Sequence, residues 1–198
     1  MHFVLRVIAR LGVQVYAVRA RPLTRNPVPH DLPPEIRVGM IDRETLYRAS
    51  GDDELRLSRE FVDAALARGD VACGAMHGDR LIAYLWRTSK IAPHENGLWV
   101  RVTPPYHYGY KGFTHPDYRG QHINPALAFA SDTYFLEHGL THMVGFVDLR
   151  NASSLATGKT KRLSIVGYAG YGKWFGRCFP YRTPAVTRIG FEFFNPSR

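Results

Sequence analysis

The strongest constraint on the fold is an abrupt change from strand to helix periodicity in the middle of the chain. Residues 106–114 begin with a tyrosine at every second position, which is the period of a β-strand. Turn-forming residues follow at Pro116-Asp117. Asn124 is a favourable helix N-cap, and Pro125 suits the first helical position. We therefore predict a strand, a tight loop and a helix over 125–138, a junction that requires a fold with both strands and helices.

The hydrophobic pattern elsewhere also alternates between the two kinds of element. It predicts a mostly helical region over 43–68 and a β-hairpin of 70–77 and 80–88 around Gly78-Asp79. Further strands are predicted at 13–18, 36–40, 99–102, 142–148, 165–171 and 186–194, and a further helix at 152–162. The chain is therefore expected to be a mixed α/β protein.

The length of 198 residues suits one domain with an extension. We expect residues 1–34 to form this extension, with a short amphipathic helix over 3–11 and a proline-rich linker over 22–34, and residues 35–198 to form the main domain. Two cysteines cannot make a disulfide framework, and no apolar run approaches the roughly 20 residues that span a bilayer. Because no cleavage site follows the first residues, we expect a cytoplasmic protein.

The formal net charge of +9 arises mostly from arginine. Arginine makes bidentate contacts with phosphates and carboxylates, so an anionic ligand is expected. Charge alone leaves several ligands open, namely a nucleotide cofactor, nucleic acid, an acidic carrier protein and a lipid surface. It also leaves open a basic protein with no such ligand.

The predicted loop before the helix at 125–138 is the most specific place for an anion. The first N–H groups of a helix have no partner within it, and the helix dipole is positive at this end. Gly120 permits backbone geometry that other residues resist, and Arg119 adds a fixed charge at the mouth of the loop. A pyrophosphate suits this chemistry. The alternative is a well-capped strand-to-helix connection with one surface arginine.

The loop sequence resembles the motif Pro-x-Tyr-Arg-Gly-x-Gly-x-Gly of the GNAT acyltransferase superfamily. Residues 116–124 match its proline, tyrosine, arginine and first glycine, whereas His122 and Asn124 replace the two later glycines. In that family the loop amides bind the pyrophosphate of acetyl-CoA. By resemblance, the residues expected to bind acetyl-CoA, or another acyl-CoA, as cosubstrate are Arg119, Gly120, Gln121, His122, Ile123 and Asn124.

The resemblance also implies a fold and a second contact with the cosubstrate. The family has an α/β (α+β) fold, with a mixed, largely antiparallel central sheet flanked by helices, which here would follow an N-terminal extension. Asn151 and Ser154 match the Asn-x-x-Ser pattern that follows the next strand in many members. By resemblance, Asn151 contacts the pantetheine arm and Ser154 lies one turn further on. Helix capping by Asn151 is an alternative role that is compatible with this contact.

Acyl transfer to an amine needs a base for the amine and an acid for the leaving thiolate. The tyrosine acid that is usual in the family is missing, because no tyrosine lies between residues 157 and 164. His107 is the candidate base, since imidazole titrates near neutral pH, and Glu95 is a second candidate on a neighbouring loop. Tyr108 and Tyr168 are candidate acids or acceptor clamps. A structural role is the alternative for each of these residues.

The expected function is transfer of an acyl group, in the first place acetyl, from CoA to a primary amine of a small molecule or amino sugar, without a metal. An acyl carrier protein as donor is an alternative, and so is a catalytically degenerate scaffold that binds nucleic acid or a membrane surface. Residues 168–181 mix aromatic and basic side chains, and we expect them to form an acceptor pocket or a homodimer contact and not a nucleic-acid site. A peripheral membrane contact through the amphipathic start stays open, although packing of this segment on the domain is favoured.

Overall fold

The structure is a computed structural model, and it describes residues 10–25, 31–95, 97–152, 154–156 and 162–196. In chain order the strands are β1 (Val13–Pro22), β2 (Ile36–Met40), β3 (Val71–His77), β4 (Arg80–Thr88), β5 (Ile91–Pro93), β6 (Trp99–Arg101), β7 (Tyr106–Thr114), β8 (His142–Asp148), β9 (Ser164–Trp174), β10 (Arg177–Arg182) and β11 (Glu192–Phe194). The helices are α1 (Arg43–Ala49), α2 (Arg59–Ala67), α3 (Ile123–Ala130), α4 (Asp132–Glu137) and α5 (Pro184–Arg188), with 3-10 turns at Asp53–Leu55 and Pro116–Tyr118. None of the helices in these described ranges has the length and apolar character that crossing a bilayer requires.

Two compact units make up the chain. The first unit comprises the described parts of residues 1–22, 89–108 and 142–198. Its strands follow the order β10-β9-β1-β8-β7, in which β1 is antiparallel to both of its neighbours and β7 is parallel to β8. A small antiparallel sheet, β11-β6-β5, belongs to the same unit. Its buried hydrophobic side chains are mostly aliphatic and include five aromatic rings, those of Tyr16, Tyr108, Tyr171, Phe191 and Phe193.

The second unit comprises the described parts of residues 23–88 and 109–141. Its strands follow the order β7-β4-β3-β2, and β7 is therefore shared between the units, with its first three residues in the first unit. One cluster of buried side chains joins α1 and α2 to β3 and β4. A second cluster joins α3 to β2, β3 and β4. The predicted α/β class, with a mixed, largely antiparallel sheet flanked by helices, is confirmed.

Most of the predicted strands are present. The strands at 36–40, 106–114 and 142–148 have the predicted bounds, and the hairpin at 70–88 is formed by β3 and β4. The strand expected near 13–18 is β1, which pairs on both sides within its sheet. The predicted helix at 3–11 lies, apart from its last two positions, outside the described residues, and the boundary at residue 34 stays a prediction.

Three element predictions were wrong in detail. The helix predicted over 125–138 starts two residues earlier and divides into α3 and α4 at Ser131. The strand predicted over 186–194 is replaced at its start by α5, because Pro184 at the first helical position follows an extended Thr183 and favours a helix. Only β11 remains of that strand, and β5 was not predicted at all.

Asp70 anchors the junction between α2 and β3 in the second unit. Its buried carboxylate oxygen Oδ2 accepts hydrogen bonds from Arg68 Nη2 at 2.8 Å and from the Tyr110 hydroxyl on β7 at 2.8 Å. Burial, and then the charge of Asp70, raise the pKa of Tyr110, so its phenol remains protonated and donates to the carboxylate. The junction is therefore tied to the strand that leads into the predicted loop.

We expect Asp70→Ala to lower the free energy of unfolding by about 2–4 kcal/mol, because it leaves a cation and a phenol without their acceptor. Chemical denaturation measures the loss. Asp79→Ala, in the exposed turn between β3 and β4, is the control and should change stability by less than about 0.5 kcal/mol. Equal losses in both variants would contradict the anchoring role.

Candidate active site

Polar contacts within the second unit hold the loop between β7 and α3 in place. The Tyr118 hydroxyl lies 2.7 Å from His77 Nδ1, and His115 Nε2 lies 3.3 Å from Glu54 Oε2. Glu54 also pairs with Arg80. The hydrogen bond from Arg80, and then that from His115, lower the pKa of Glu54, so Glu54 contributes a carboxylate to these contacts. These contacts hold the loop independently of any ligand.

Two residues of this loop have left-handed backbone conformations. Gly120 has φ +80° and His122 has φ +58°. His122 occupies the position of the second glycine in the motif that the loop resembles, and a left-handed residue with a Cβ is disfavoured by roughly 1–2 kcal/mol. Histidine adopts this conformation more readily than bulky residues do. The replacement of glycine by His122 therefore changes the side chain, while the backbone keeps a conformation that suits glycine.

The predicted N-cap role of Asn124 was wrong. Helix α3 begins at Ile123 with His122 as its N-cap, so Asn124 and Pro125 are its second and third residues. Proline is tolerated there because the N–H groups of the first turn have no partner within the helix. The left-handed backbone of His122 turns the chain into the helix without a side-chain cap.

The loop presents unused hydrogen-bond donors. Within the described ranges, the backbone amides of Gly120, Gln121, His122 and Ile123 donate no hydrogen bond. Arg119 is exposed, its Nε donates to Thr114 O at 3.3 Å, and no acidic side chain of the described chain pairs with it. Four amides, the positive end of α3 and one arginine therefore form a region of positive potential.

A cavity of about 540 Å³ opens beside these donors. Its lining lies wholly within the second unit and comprises Gly112, Phe113, Thr114, Tyr118, Arg119, Gly120, His122, Ile123, Asn124 and Pro125. The volume falls within the range of small-molecule and cofactor sites. Of the six loop residues predicted to bind the cosubstrate, five line this cavity, and the sixth, Gln121, lies between them in the loop.

Asn151 and Ser154 belong to the first unit. The Asn151 Oδ1 accepts a hydrogen bond from Ser154 N at 3.0 Å, so Asn151 caps the helical turn that includes residues 154–156. The carbonyl of Ser154 accepts from the largely buried Arg19 at 2.9 Å. The capping interpretation is thus present in the structure, while contact of Asn151 with the pantetheine arm stays a prediction.

The candidate catalytic residues of β7 are buried. His107 and Tyr108 are adjacent on this strand in the first unit, and the imidazole of His107 is completely buried. Tyr108 stacks on Phe146 at a centroid distance of 5.8 Å, and burial raises the pKa of its phenol, which makes it a weaker acid. Tyr168 on β9 is partly exposed.

Glu95 belongs to a cluster of polar side chains that was not predicted from the sequence. Its Oε1 accepts hydrogen bonds from the hydroxyls of Tyr16, at 2.9 Å, and Tyr171, at 2.7 Å. His94 Nε2 lies 3.8 Å from the same oxygen. The strand alternation of β1 and β9 could have indicated that Tyr16 and Tyr171 share a face, but nothing in the sequence placed the loop of Glu95 against them.

The hydrogen bonds from the two phenols favour the ionised form of Glu95. The hydrogen bond from Tyr171, and to a smaller extent that from Tyr16, lower the pKa of Glu95 against the opposing effect of its partial burial. The side chain is 56% exposed, and no donor among the described residues pairs with its second oxygen, Oε2. The rings of His94, Phe146 and Phe193 lie beside Tyr16. Glu95 therefore offers an oriented carboxylate oxygen within an aromatic surround.

No protein-family model and no curated protein matches the chain. Solved structures do match it. They include a GCN5-related N-acetyltransferase from Sphaerobacter thermophilus, with a TM-score of 0.52, 10% identity and coverage of 96% of this chain and 55% of that one. A tandem GNAT protein from the clavulanic acid biosynthesis pathway has a TM-score of 0.51 and 16% identity, with coverage of 95% of this chain and 56% of that one. A GCN5-related N-acetyltransferase-like protein from Streptococcus suis 89/1591 has a TM-score of 0.50 and 15% identity, with coverage of 82% of this chain and 64% of that one.

These similarities concern the fold. The chain spans between 55% and 64% of the lengths of the three structures, and its identity to them is at most 16%. The resemblance to the GNAT superfamily that the loop sequence indicated is confirmed at the level of the fold. Fold alone does not specify a reaction, so the activity must be argued from the site.

Gly120→Ala should lower the free energy of unfolding by roughly 1–2 kcal/mol, the cost of a left-handed backbone for a residue with a Cβ. Apart from Gly120 and its two neighbours in the chain, no described residue has an atom within 4 Å of the position of that Cβ, so a steric clash does not contribute. Gly39→Ala on β2 is the matched control, since its Cβ also meets open space and its backbone is not left-handed. Thermal unfolding of the two variants compares them, and the control should be neutral or stabilising.

His122→Gly extends the same test. Glycine adopts the left-handed conformation freely, so this variant should be at least as stable as the wild type. A loss of stability above that of Gly39→Ala would show that the imidazole of His122, and not only the backbone at this position, supports the loop.

Proposed function

We propose that the chain transfers an acyl group from an acyl-CoA to an amine. The observation that carries this proposal is the loop at 119–124, whose free amides, exposed arginine and adjacent cavity suit a pyrophosphate. A doubly charged diphosphate matches several donors at once, whereas a single carboxylate would leave most of them unused. The GNAT fold supports the same class of reaction.

The reaction joins the amine to the acyl carbon. The amine nitrogen attacks the thioester carbonyl, the C–S bond breaks, and CoA leaves as a thiolate that takes up a proton. A thiol with a pKa of about 8.5 is a good leaving group, so water can supply that proton. Tyr168 is the exposed candidate for a substitute acid, and the buried Tyr108 suits the role less because its pKa is raised.

Deprotonation of the acceptor ammonium is the demanding step, and two residues are candidates for the base. Glu95 is exposed, ionised and oriented by two phenols. Histidine is a common base near neutral pH, but the imidazole of His107 is completely buried, and a base must reach the proton that it removes. We therefore favour Glu95, which would also attract a cationic acceptor through its charge.

The proposal extends to the class of acyl group and the class of acceptor. Acetyl is the simplest donor, and a primary amine of a small molecule or amino sugar is the acceptor class that a carboxylate among aromatic rings would attract. An acyl carrier protein donor presents a single phosphate in place of a pyrophosphate, so the loop donors favour CoA over this alternative.

Arg119→Ala should weaken CoA binding by about 1.5–3 kcal/mol, the value of a charge-assisted hydrogen bond. Isothermal titration with CoA and with 4′-phosphopantetheine, which lacks the pyrophosphate, measures the effect. The loss should be much smaller for the second ligand. Arg37→Ala is the matched control, because Arg37 is also exposed in the second unit and also donates to a backbone carbonyl, that of Gly78 at 3.2 Å.

Equal CoA affinity for wild type and Arg119→Ala, with both proteins folded, would remove the loop from the binding site. If CoA binds tightly but no amine in a panel is acylated, as measured by thiol release, the chain is a binding protein that has the fold without the reaction.

The pH dependence of turnover separates the two candidate bases. Because its pKa is lowered from the ordinary value of a glutamate, Glu95 is ionised at neutral pH and contributes no change in rate between roughly pH 6 and 7.5. A histidine base would make the rate rise over that interval as its ring loses its proton. We expect Glu95→Gln to lower kcat by about 10²–10⁴ and His107→Gln to lower it far less. A large loss confined to His107→Gln, together with loss of the rise in rate, would reverse the assignment.

A further inference from the structure

The β9–β10 hairpin of the first unit carries an aromatic face, formed by Trp174, Phe179 and Tyr181. In this antiparallel pair Phe179 lies opposite Gly172 and Tyr181 opposite Gly170. Opposite residues project to the same side, and alternate residues of one strand share a face, so all three rings lie on one side of the hairpin. The side chains are between 39% and 46% exposed. The hairpin therefore presents hydrocarbon to its surroundings.

The polar atoms of the Trp174 and Tyr181 rings already have acceptors within the described chain. Trp174 Nε1 donates to Leu11 O at 3.0 Å, and the Tyr181 hydroxyl donates to Gln14 O at 2.9 Å. Leu11 is itself exposed beside them. Burial of a donor without an acceptor is costly, and these donors already have acceptors. An apolar partner can thus cover the Trp174 and Tyr181 rings without leaving their donors unsatisfied, while Arg177, opposite Trp174 on the same face, supplies a charged group beside them.

The tip of the hairpin has a residue that does not stabilise the fold. Phe175 and Gly176 form the turn with φ values of +51° and +71°, and the side chain of Phe175 is fully exposed. Such turns favour Asn-Gly, and a bulky residue in the left-handed region is unfavourable. Since Phe175 is not covered by any of the described residues and strains the turn, its ring is available to a partner.

The charge of the hairpin is of one sign. Residues 164–182 contain Lys173, Arg177 and Arg182 and no acidic residue, and of these Arg182 forms an ion pair with Glu192 at 3.0 Å. Lys173 and Arg177 flank the aromatic tip on its two strands. A partner that is apolar inside and negatively charged at its surface would satisfy both the rings and the basic side chains.

We propose that the β9–β10 hairpin docks on an anionic lipid surface, with Phe175 and Trp174 entering the interfacial region and Lys173 and Arg177 meeting the headgroups. Aromatic side chains are favoured at the membrane interface, and basic residues are attracted to anionic lipids. This peripheral contact does not depend on the proposed acyl transfer.

Two other partners fit the hairpin less well. Strand β10 is at the edge of its sheet, but Pro180 lacks an N–H and the flanking arginines are charged, which protects the edge against pairing with a second copy. Stacking of successive bases needs several open rings, whereas Trp174 lies against Gly172 and Tyr181 against Gly170, which leaves Phe175 as the fully exposed ring of the described hairpin.

The test is co-sedimentation of the full chain with vesicles of phosphatidylcholine, with and without phosphatidylglycerol. Wild type should bind the anionic vesicles, and binding should fall with added salt. Phe175→Asn should weaken binding by roughly tenfold or more, the value of burying such a ring, while its melting temperature stays equal or rises because asparagine suits the turn. Ile165→Ser is the control, since Ile165 is an exposed apolar residue of β9 far from the tip and should leave binding unchanged.

A double variant, Lys173→Gln with Arg177→Gln, tests the charge and should lose the preference for anionic vesicles. The proposal is overturned if wild type does not bind anionic vesicles, or if Ile165→Ser and Phe175→Asn lose binding equally. It is also overturned if Phe175→Asn instead abolishes binding to an oligothymidylate or a dimer detected by sedimentation.

Discussion

The left-handed backbone of Gly120 and His122 is the constraint on which the candidate site depends. It turns the chain from β7 into α3 over a few residues, within which four successive amides donate no hydrogen bond to the described residues. An anion bound there would be held mainly by main-chain groups, whose positions the surrounding fold fixes before binding. Preorganised donors of this kind need no reordering when the ligand arrives, which explains how a loop with only one cationic side chain can suit a diphosphate.

At Glu95, in contrast, side chains and not backbone groups hold the functional group in position. Two phenols donate to one carboxylate oxygen, and the raised pKa of Tyr16 keeps at least that donor protonated at neutral pH. The carboxylate keeps its charge while its second oxygen stays available. The tyrosines thus determine both the protonation and the direction of the group that we propose to meet the acceptor.

The sequence predicted the parts of this molecule that local chemistry determines. The strand at 106–114, the tight loop and the hairpin around Gly78 depend on residues close in sequence, and they are present. Interactions between distant segments were not accessible. Tyr16 and Tyr171 meet Glu95 across 79 and 76 residues of chain, and the burial of His107 depends on packing that no local pattern reveals. The helix start at Ile123 was missed because a left-handed histidine replaced the usual cap.

Both His122 and Phe175 are large residues in backbone conformations that favour glycine. His122 lies at a concave surface, and Phe175 lies at a protruding one. At His122 the strained backbone lines a cavity and exposes amides, so the gain is a concave site for an anion. At Phe175 the same strain holds a fully exposed ring at the tip of a hairpin, where the described residues do not cover it. Because each costs roughly 1–2 kcal/mol relative to glycine, neither conformation is explained by folding stability. Both are explained if the chain binds one ligand in its loop and another surface at its hairpin.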